Sequence, residues 1–275
     1  MPAPGPGAGL ATLEHMGWLR DLFRRPPLLH VAVDAGTGSP VVMIHGIASS
    51  SVTFERLTPL LQDRHRVISI DLLGFGESPS PPEAQYTIDE HVAALRHTIR
   101  SLRLAEPFVL VGHSMGSLIA ARYAATEPRR VSKLVLVSPP IYLPASTLGD
   151  GIDRAAMGLY FKAYEYLRGN KEFTMRAAAT LAKLSPIKNL LEVSERNWRA
   201  FVLSLQNSIE TQTAVTDLAA VQAPVELVYG SLDPFLAPAG IRLVERMRNV
   251  TTHRVDGVDH VIRPRMARVI AAAIG

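Results

Sequence analysis

One stretch, residues 108–124, constrains the fold of this chain more than any other. It begins with the strand-prone sequence Phe-Val-Leu-Val, passes through Gly-His-Ser-Met-Gly and continues as an apolar, helix-prone segment. A strand that turns directly into a helix crowds its own backbone. The residues two before and two after the apex therefore have to be small, as Gly112 and Gly116 are. The pattern predicts Ser114 at a strained apex as a candidate nucleophile; the alternative is a glycine-punctuated turn with a solvated serine.

Two backbone amides are predicted to face the Ser114 hydroxyl. The Met115 N–H lies at the N-terminus of the helix, where partial positive charge collects. A second apolar strand, residues 41–44, ends at His-Gly-Ile. There Gly46 lets the backbone bend, so that the Ile47 N–H points into the same cleft. Two converging donors are what the oxyanion of a tetrahedral intermediate requires.

Two other polar residues follow buried strands but are interpreted as structural. His45 directly precedes Gly46, and we interpret it as a histidine that supports the loop from beneath rather than as a base. Asp71 opens the loop 71–78, which has the sequence Asp-Leu-Leu-Gly-Phe-Gly-Glu-Ser. A carboxylate at the start of such a loop usually caps local backbone amides.

A serine nucleophile needs an adjacent base, and the base needs a carboxylate that holds it in one tautomer. Among the nine histidines, His260 alone lies on a late post-strand loop with a post-strand acid upstream. Apart from His45, which is interpreted as structural, the others lie on helices, in or before strands, or beside the apex. Asp233 follows the strand 225–229 and gives the chain order Ser-Asp-His. Asp256 is the alternative acid. Because parallel strands share one carboxyl edge, we expect Ser114, Asp233 and His260 to meet there.

Length, charge and composition limit the other function classes. A chain of 275 residues, 47% of them hydrophobic, suits one large α/β domain with an inserted subdomain. The net charge of +4 comes from scattered arginines without a dense basic run, which disfavours nucleic-acid binding. The lack of cysteine excludes a disulfide, a thiolate zinc site and a cysteine nucleophile. No bilayer-spanning run or signal peptide is recognisable, so we expect a cytoplasmic protein. Because a serine nucleophile with a histidine base supplies its own chemistry, we expect no metal or organic cofactor.

Changes of composition along the chain divide it into three parts. Residues 1–27 are expected to form a flexible, proline- and glycine-rich terminus with an amphipathic helix over residues 10–25. That helix is expected to pack on the domain or on a partner subunit, including a second copy; peripheral contact with a membrane surface is the alternative. Residues 28–140 and 216–275 alternate strands and helices as an α/β core. Residues 141–215 are predicted to form a helical cap whose aromatic side chains contribute an apolar pocket.

As an ordered set, these motifs resemble the α/β-hydrolase fold superfamily, in particular its compact bacterial serine esterases and C–C hydrolases. The resemblance covers residues 28–140 and 220–275 and rests on His45-Gly46, the loop 71–78, Gly112–Gly116, Gly230–Asp233 and Gly257–His260. It implies a mostly parallel eight-stranded sheet flanked by helices, or the same sheet without its first strand. It also implies a nucleophile elbow and an oxyanion hole from the Ile47 and Met115 amides. Val261 stands where C–C hydrolases of this family usually carry an aromatic residue, which favours ester cleavage.

Three functions are compatible with this pattern. The first is a serine hydrolase that cleaves a carboxylic ester or thioester with an apolar moiety through an acyl-enzyme, with Ser114, His260 and Asp233 as its triad. The alternative uses the same triad to cleave a carbon–carbon bond in a vinylogous diketone, with Arg196 or Arg199 as the anchor for a substrate carboxylate. The third is a non-catalytic, ligand-binding member of the fold. Serine at the apex argues against haloalkane dehalogenases and epoxide hydrolases, which place aspartate there.

Overall fold

The computed structural model describes residues 25–144, 151–184 and 191–275. The strands are β1 (Val31–Ala35), β2 (Ser39–Ile44), β3 (His65–Ile70), β4 (Phe108–His113), β5 (Val131–Val137), β6 (Val225–Gly230) and β7 (Val250–Val255). The helices are α1 (Thr58–Leu61), α2 (Ile88–Ser101), α3 (Met115–Thr126), α4 (Gly151–Gly169), α5 (Lys171–Leu184), α6 (Trp198–Ser204), α7 (Ala214–Ala220), α8 (Pro238–Val244) and α9 (Pro264–Ile274). A 3₁₀ turn at Ser51–Phe54 and a π turn at Leu205–Ile209 complete the regular structure.

The strands form one sheet in the order β1-β3-β2-β4-β5-β6-β7. β1 pairs with β3 in the antiparallel direction, and every other neighbouring pair in this sheet runs parallel. In the described part of the chain the sheet thus has seven strands, as in the form of the fold without a first strand. β1 stands first in this order and is therefore an edge strand. The residues just before it include Pro26 and Pro27, and proline cannot donate to a strand ladder.

The sheet separates two hydrophobic cores because its strands alternate between them. Val42 and Ile44 of β2 pack into the core that contains the buried faces of α2 and α3. Val41 and Met43 of the same strand pack into the core formed with α9. All four side chains are completely buried, which explains the continuous apolar run in β2. This arrangement aligns the carboxyl ends of the parallel strands along one edge, where loops are free to carry functional groups.

The chain between β5 and β6 contains helices α4–α7, of which α4–α6 lie within residues 141–215, the segment for which the sequence predicts a cap, and α7 begins at its end. Tyr166 of α4 contacts Phe173 of α5, with ring centroids 5.3 Å apart. Residues 145–150 and 185–190 of this segment, and the predicted helix that begins at residue 10, lie outside the described residues, apart from residue 25. Among the helices that are described, none is long and apolar enough to cross a bilayer.

Candidate active site

The turn between β4 and α3 holds Ser114 in a strained backbone conformation. Its φ of 53° and ψ of −126° lie in a region that non-glycine residues rarely adopt. A Cβ atom at Gly112 would lie 2.4 Å from the Gly116 carbonyl oxygen, and one at Gly116 would lie 2.4 Å from the His45 carbonyl oxygen. No side chain fits at either distance. The glycine spacing is thus required by packing as well as by the turn itself.

The loop after β2 lies directly against this turn, because β2 and β4 are neighbouring parallel strands. A Cβ atom at Gly46 would lie 2.8 Å from Ser114 Cβ and 3.3 Å from Ser114 Oγ. Ile47 follows Gly46 in the chain, and Met115 is the first residue of α3, where the amides have no partner within the helix. Both amides predicted as oxyanion donors therefore belong to segments that border Ser114.

His45 is a structural residue, as the sequence predicts. Its Nε2 accepts the Leu72 N–H at 2.9 Å, and its Nδ1 lies 2.7 Å from the Gly46 carbonyl oxygen. An amide only donates and a carbonyl only accepts, so we assign the ring proton to Nδ1. Burial lowers the pKa of His45, which keeps the ring neutral. The ring thus joins the loops after β2 and β3 and fixes the peptide that precedes Ile47.

Asp71 also has the structural role that the sequence predicts. Its carboxylate accepts the Ser51 N–H at 2.8 Å, the Ser51 hydroxyl at 2.7 Å and the Glu77 N–H at 3.0 Å. His30 Nδ1 lies 3.0 Å from the same carboxylate. Burial alone would raise the pKa of Asp71, but the hydrogen bonds from Glu77 and His30 outweigh it and hold the pKa below its ordinary value. The ionised carboxylate caps the loop 71–78.

Asp233 and His260, predicted as acid and base, are in direct contact. His260 Nδ1 lies 2.7 Å from Asp233 Oδ2, and Asp233 Oδ1 accepts the Phe235 N–H at 2.9 Å. The Asp233 side chain is fully buried and that of His260 is 18% exposed. Burial would raise the pKa of Asp233, yet the bonds from His260 and the Phe235 amide hold it below its ordinary value. Asp233 is therefore ionised at neutral pH and favours the His260 tautomer with a proton on Nδ1.

The alternative acid, Asp256, lies in a different environment. Its side chain is 76% exposed and forms an ion pair with Arg254 at 3.3 Å. The neighbour of the base, Asp259, is bound to Arg263 at 2.6 Å. Of these three late acids in the described structure, Asp233 is the one that contacts the His260 ring.

The residue before Ser114 provides a contact that sequence reasoning missed. His113 Nε2 donates to the carbonyl oxygen of His260 at 3.0 Å, and the centroids of the two imidazole rings lie 4.8 Å apart. Burial, together with the nearby His260, lowers the pKa of His113 to about 3. In the described residues, no hydrogen bond joins the Ser114 hydroxyl to His260. The connection to the Asp233–His260 pair is made by the preceding residue, His113. No sequence pattern predicts this hydrogen bond between His113 and His260, because the two residues lie 147 positions apart.

The two candidate cationic anchors have other partners. Arg196 lies 3.3 Å from the Glu77 carboxylate, and both side chains are mostly exposed. Arg199 donates to the Ala84 carbonyl oxygen at 2.6 Å, and its guanidinium carbon lies 5.8 Å from the centre of the Tyr86 ring. Within the ranges that the structure describes, no group of three histidine or acidic side chains is arranged to hold a metal ion.

Comparisons with known proteins agree with this architecture. The probable lysophospholipase BODYGUARD 4 of Arabidopsis thaliana is 39% identical over 121 residues, which are 42% of this chain and 28% of that protein. Lipase 1 of Psychrobacter immobilis is 25% identical over 219 residues, 76% of this chain and 67% of that lipase. The chain thus spans less than a third of the first relative and about two thirds of the second.

Solved structures and the match to a family model also indicate this fold. The esterase EaEST of Exiguobacterium antarcticum superposes with a TM-score of 0.72 over 90% of this chain and 95% of that one. Its sequence identity of 20% makes this a likeness of fold alone. The family described as alpha/beta hydrolase fold matches residues 39–262, from the start of β2 to just beyond His260. This chain belongs to the α/β-hydrolase fold family.

Proposed function

We propose that this protein is a serine hydrolase that cleaves carboxylic esters or thioesters with an apolar moiety. The observation that carries the proposal is the 2.7 Å contact between His260 Nδ1 and Asp233 Oδ2, on the sheet edge where β4 leads into Ser114. A carboxylate bound to Nδ1 orients the imidazole and leaves Nε2 to accept a proton from a serine hydroxyl. The strained backbone of Ser114 supports a nucleophile at this position.

In the proposed reaction, Ser114 Oγ attacks the carbonyl carbon while His260 Nε2 takes the hydroxyl proton. Asp233 stabilises the imidazolium that forms. The Ile47 and Met115 amides donate to the oxyanion of the tetrahedral intermediate. His260 then returns the proton to the departing alcohol or thiol, which leaves an acyl-enzyme on Ser114. A water molecule, deprotonated by the same imidazole, releases the acid and restores the serine.

The surroundings of the proposed base support an apolar substrate. The Phe235 ring packs edge-on against the His260 imidazole, with centroids 4.8 Å apart. Phe235 remains 42% exposed and Leu232, on the same loop, remains 66% exposed. Apolar side chains left open beside a reactive group provide surface for an acyl or alcohol chain. Two relatives named as a lipase and a probable lysophospholipase also favour an ester bond.

Hydrolysis of p-nitrophenyl esters of increasing acyl length tests this function. Ser114→Ala is expected to lower kcat by at least about 10³-fold, because removing a triad nucleophile has effects of this order. Ser132→Ala, at an exposed position of β5, is the matched control and is expected to keep wild-type activity. Full turnover by a folded Ser114→Ala variant would remove this serine from the mechanism.

A fluorophosphonate probe separates an enzyme from a binding protein. We expect one covalent adduct on Ser114, located by peptide mass spectrometry, and none in Ser114→Ala. A wild-type protein that forms no adduct and cleaves no ester would favour the non-catalytic, ligand-binding function. A parallel assay with acyl thioesters decides which leaving atom the site prefers.

Carbon–carbon bond cleavage remains a weaker proposal for the same triad. Its candidate anchors, Arg196 and Arg199, are engaged by Glu77 and by the Ala84 carbonyl oxygen. Turnover of a vinylogous diketone is therefore expected to be slower than that of p-nitrophenyl butyrate. A large preference for the diketone would reassign the bond that is cleaved.

A further inference from the structure

The loop Asp233–Leu236, between β6 and α8, carries the proposed triad acid. Asp233 Oδ1 accepts the Phe235 N–H while Oδ2 contacts His260, so the loop backbone determines the direction of the carboxylate. Apolar burial holds one end of this loop, where Leu236 packs against the hydrophobic core. It contributes little at Phe235, which remains 42% exposed, or at the preceding Leu232, which remains 66% exposed. The middle of the loop has to be held by other contacts.

Two tyrosine hydroxyls from outside the loop bind its backbone carbonyl groups. Tyr160 of α4 donates to the Pro234 carbonyl oxygen at 2.6 Å and lies 3.3 Å from that of Leu236. Tyr142, which follows β5, donates to the Phe235 carbonyl oxygen at 3.2 Å. Three consecutive carbonyl groups are thus within hydrogen-bonding distance of a phenol.

The proton positions in this cluster follow from the acceptors. Tyr142 Oη lies 2.5 Å from Tyr164 Oη. Because the Phe235 carbonyl can only accept, the Tyr142 proton is used there and Tyr164 donates to Tyr142. Burial raises the pKa of Tyr164 to about 12 and also raises that of Tyr142, so both hydroxyls remain donors at neutral pH. The hydrogen bonds therefore all point from α4 towards the loop: Tyr164 donates to Tyr142, and Tyr142 donates to the Phe235 carbonyl oxygen.

Packing reinforces these bonds. Tyr160 and Tyr164 are four residues apart and present the same face of α4. The Tyr142 ring stacks on Tyr160, with centroids 5.3 Å apart and an interplanar angle of 20°. On the other side of the loop, the Phe235 ring contacts the His260 imidazole. The contacts form a continuous path from α4 to the proposed base.

We propose that Tyr160 and Tyr142 are positioning residues for Asp233. By binding the loop carbonyl groups, they hold the Asp233 carboxylate where both the Phe235 amide and His260 Nδ1 reach it. This inference rests on the proposed function, because it takes Asp233 as the triad acid. Helix α4 supplies no triad residue, but through these bonds it helps to position the Asp233 carboxylate. Loss of these bonds consequently lowers turnover rather than substrate affinity.

Removal of single hydroxyl groups tests the role. Tyr160→Phe keeps the ring stack and is expected to lower kcat for p-nitrophenyl butyrate about three- to tenfold, with KM within about twofold of wild type. The double variant Tyr142→Phe/Tyr160→Phe is expected to lose more than about tenfold. Tyr166→Phe, on the same helix but in contact with Phe173, is the matched control and is expected to keep wild-type kcat.

Proton NMR provides a readout that does not need turnover. The proton between His260 Nδ1 and Asp233 is expected as a downfield resonance, identified by its loss in Asp233→Asn. We expect this resonance to shift or broaden in the two phenylalanine variants but not in Tyr166→Phe. Thermal unfolding shows which variants are folded, and Tyr160→Phe alone decides the question if the double variant does not fold.

The two readouts distinguish this inference from the proposed function. A wild-type protein without esterase activity, but with a resonance that responds to Tyr160→Phe, would overturn the ester-hydrolase proposal and support the positioning contact. Unchanged kcat and an unchanged resonance in folded variants would overturn the positioning role. A rise in KM with constant kcat would also overturn it, because the phenols would then act on substrate binding.

Discussion

His113 donates a hydrogen bond from Nε2 to the backbone carbonyl oxygen of His260 at 3.0 Å, across 147 positions of sequence. The acceptor is the main chain, so the bond holds the loop of the proposed base without using either of its ring nitrogens. The neighbouring residue, Ser114, is the proposed nucleophile. The end of β4 and the loop after β7 are therefore bonded to each other next to Ser114 and His260, the two residues that have to exchange a proton.

Loss of this bond is expected to slow the reaction. His113→Phe keeps a buried ring but removes the donor and leaves the His260 carbonyl unpaired, so we expect kcat/KM for p-nitrophenyl butyrate to fall about tenfold. His113→Gln places an amide donor at a similar reach and is expected to stay within about threefold of wild type. Equal activity in the phenylalanine and wild-type proteins would show that the contact has no effect on catalysis.

A second buried histidine is expected to make stability depend on pH. His91 is completely buried against Tyr86 and Ser204, and burial, with a smaller effect of His45, lowers its pKa from 6.5 to about 3. The unfolded chain binds a proton below pH 6.5 that the folded chain does not bind. The contribution of neutral His91 to the free energy of unfolding is thus complete above pH 6.5 and is lost progressively as the pH falls towards 3.

Urea unfolding at pH 7.5 and pH 5 measures this effect. His91→Leu removes the titrating group, so the loss of unfolding free energy between the two pH values is expected to be about 2 kcal/mol smaller than in wild type. The absolute stability of the variant does not enter this comparison. If the unfolding free energy of the two proteins depended on pH in the same way, His91 would titrate alike in the folded and the unfolded chain.

The close approach of Gly46 to the elbow predicts a large effect of one methyl group. In Gly46→Ala the new Cβ would lie 2.8 Å from Ser114 Cβ, so the loop that carries the Ile47 amide has to move. Loss of one oxyanion donor costs about 10²–10³-fold in kcat, and we expect a decrease of this size. Gly158→Ala, on α4 with open space around it, is the control and is expected to leave kcat unchanged. A Gly46→Ala variant with wild-type kcat would exclude this loop from oxyanion binding.

The hydrogen bonds of Asp71 predict a stability effect that surface charges do not share. Asp71→Ala leaves the Ser51 and Glu77 amides without their acceptor and is expected to lower the free energy of unfolding by about 2–4 kcal/mol. Asp34→Ala breaks a half-exposed pair with Arg66 and is expected to cost less than about 1 kcal/mol. Chemical unfolding of both variants makes the comparison, and equal costs would contradict the structural role of Asp71.

Much of the fold and part of the site are predictable from the sequence because their requirements are local. The glycines around Ser114 are demanded by the turn itself, and the apolar runs of β2 and β4 identify strands buried on both faces. The structural roles of His45 and Asp71 are also predictable, because each follows a buried strand at the start of a loop, where backbone groups need hydrogen-bond partners. In the described residues the sheet has seven strands rather than eight. The sequence left the choice between these two forms open, because the resemblance to the family is compatible with both.

The remaining features depend on side chains that are far apart in the chain. The sequence offers both Asp233 and Asp256 as partners of the base, whereas in the fold His260 contacts Asp233 and Asp256 pairs with Arg254. The register of β6 and β7 and the path of the loops decide between them. Likewise, neither the bond from His113 nor the phenols that bind the loop 233–236 can be derived from neighbouring residues. The sequence alone determined the turns and the buried strands, because these depend on adjacent residues, and only the tertiary structure decided which distant groups meet.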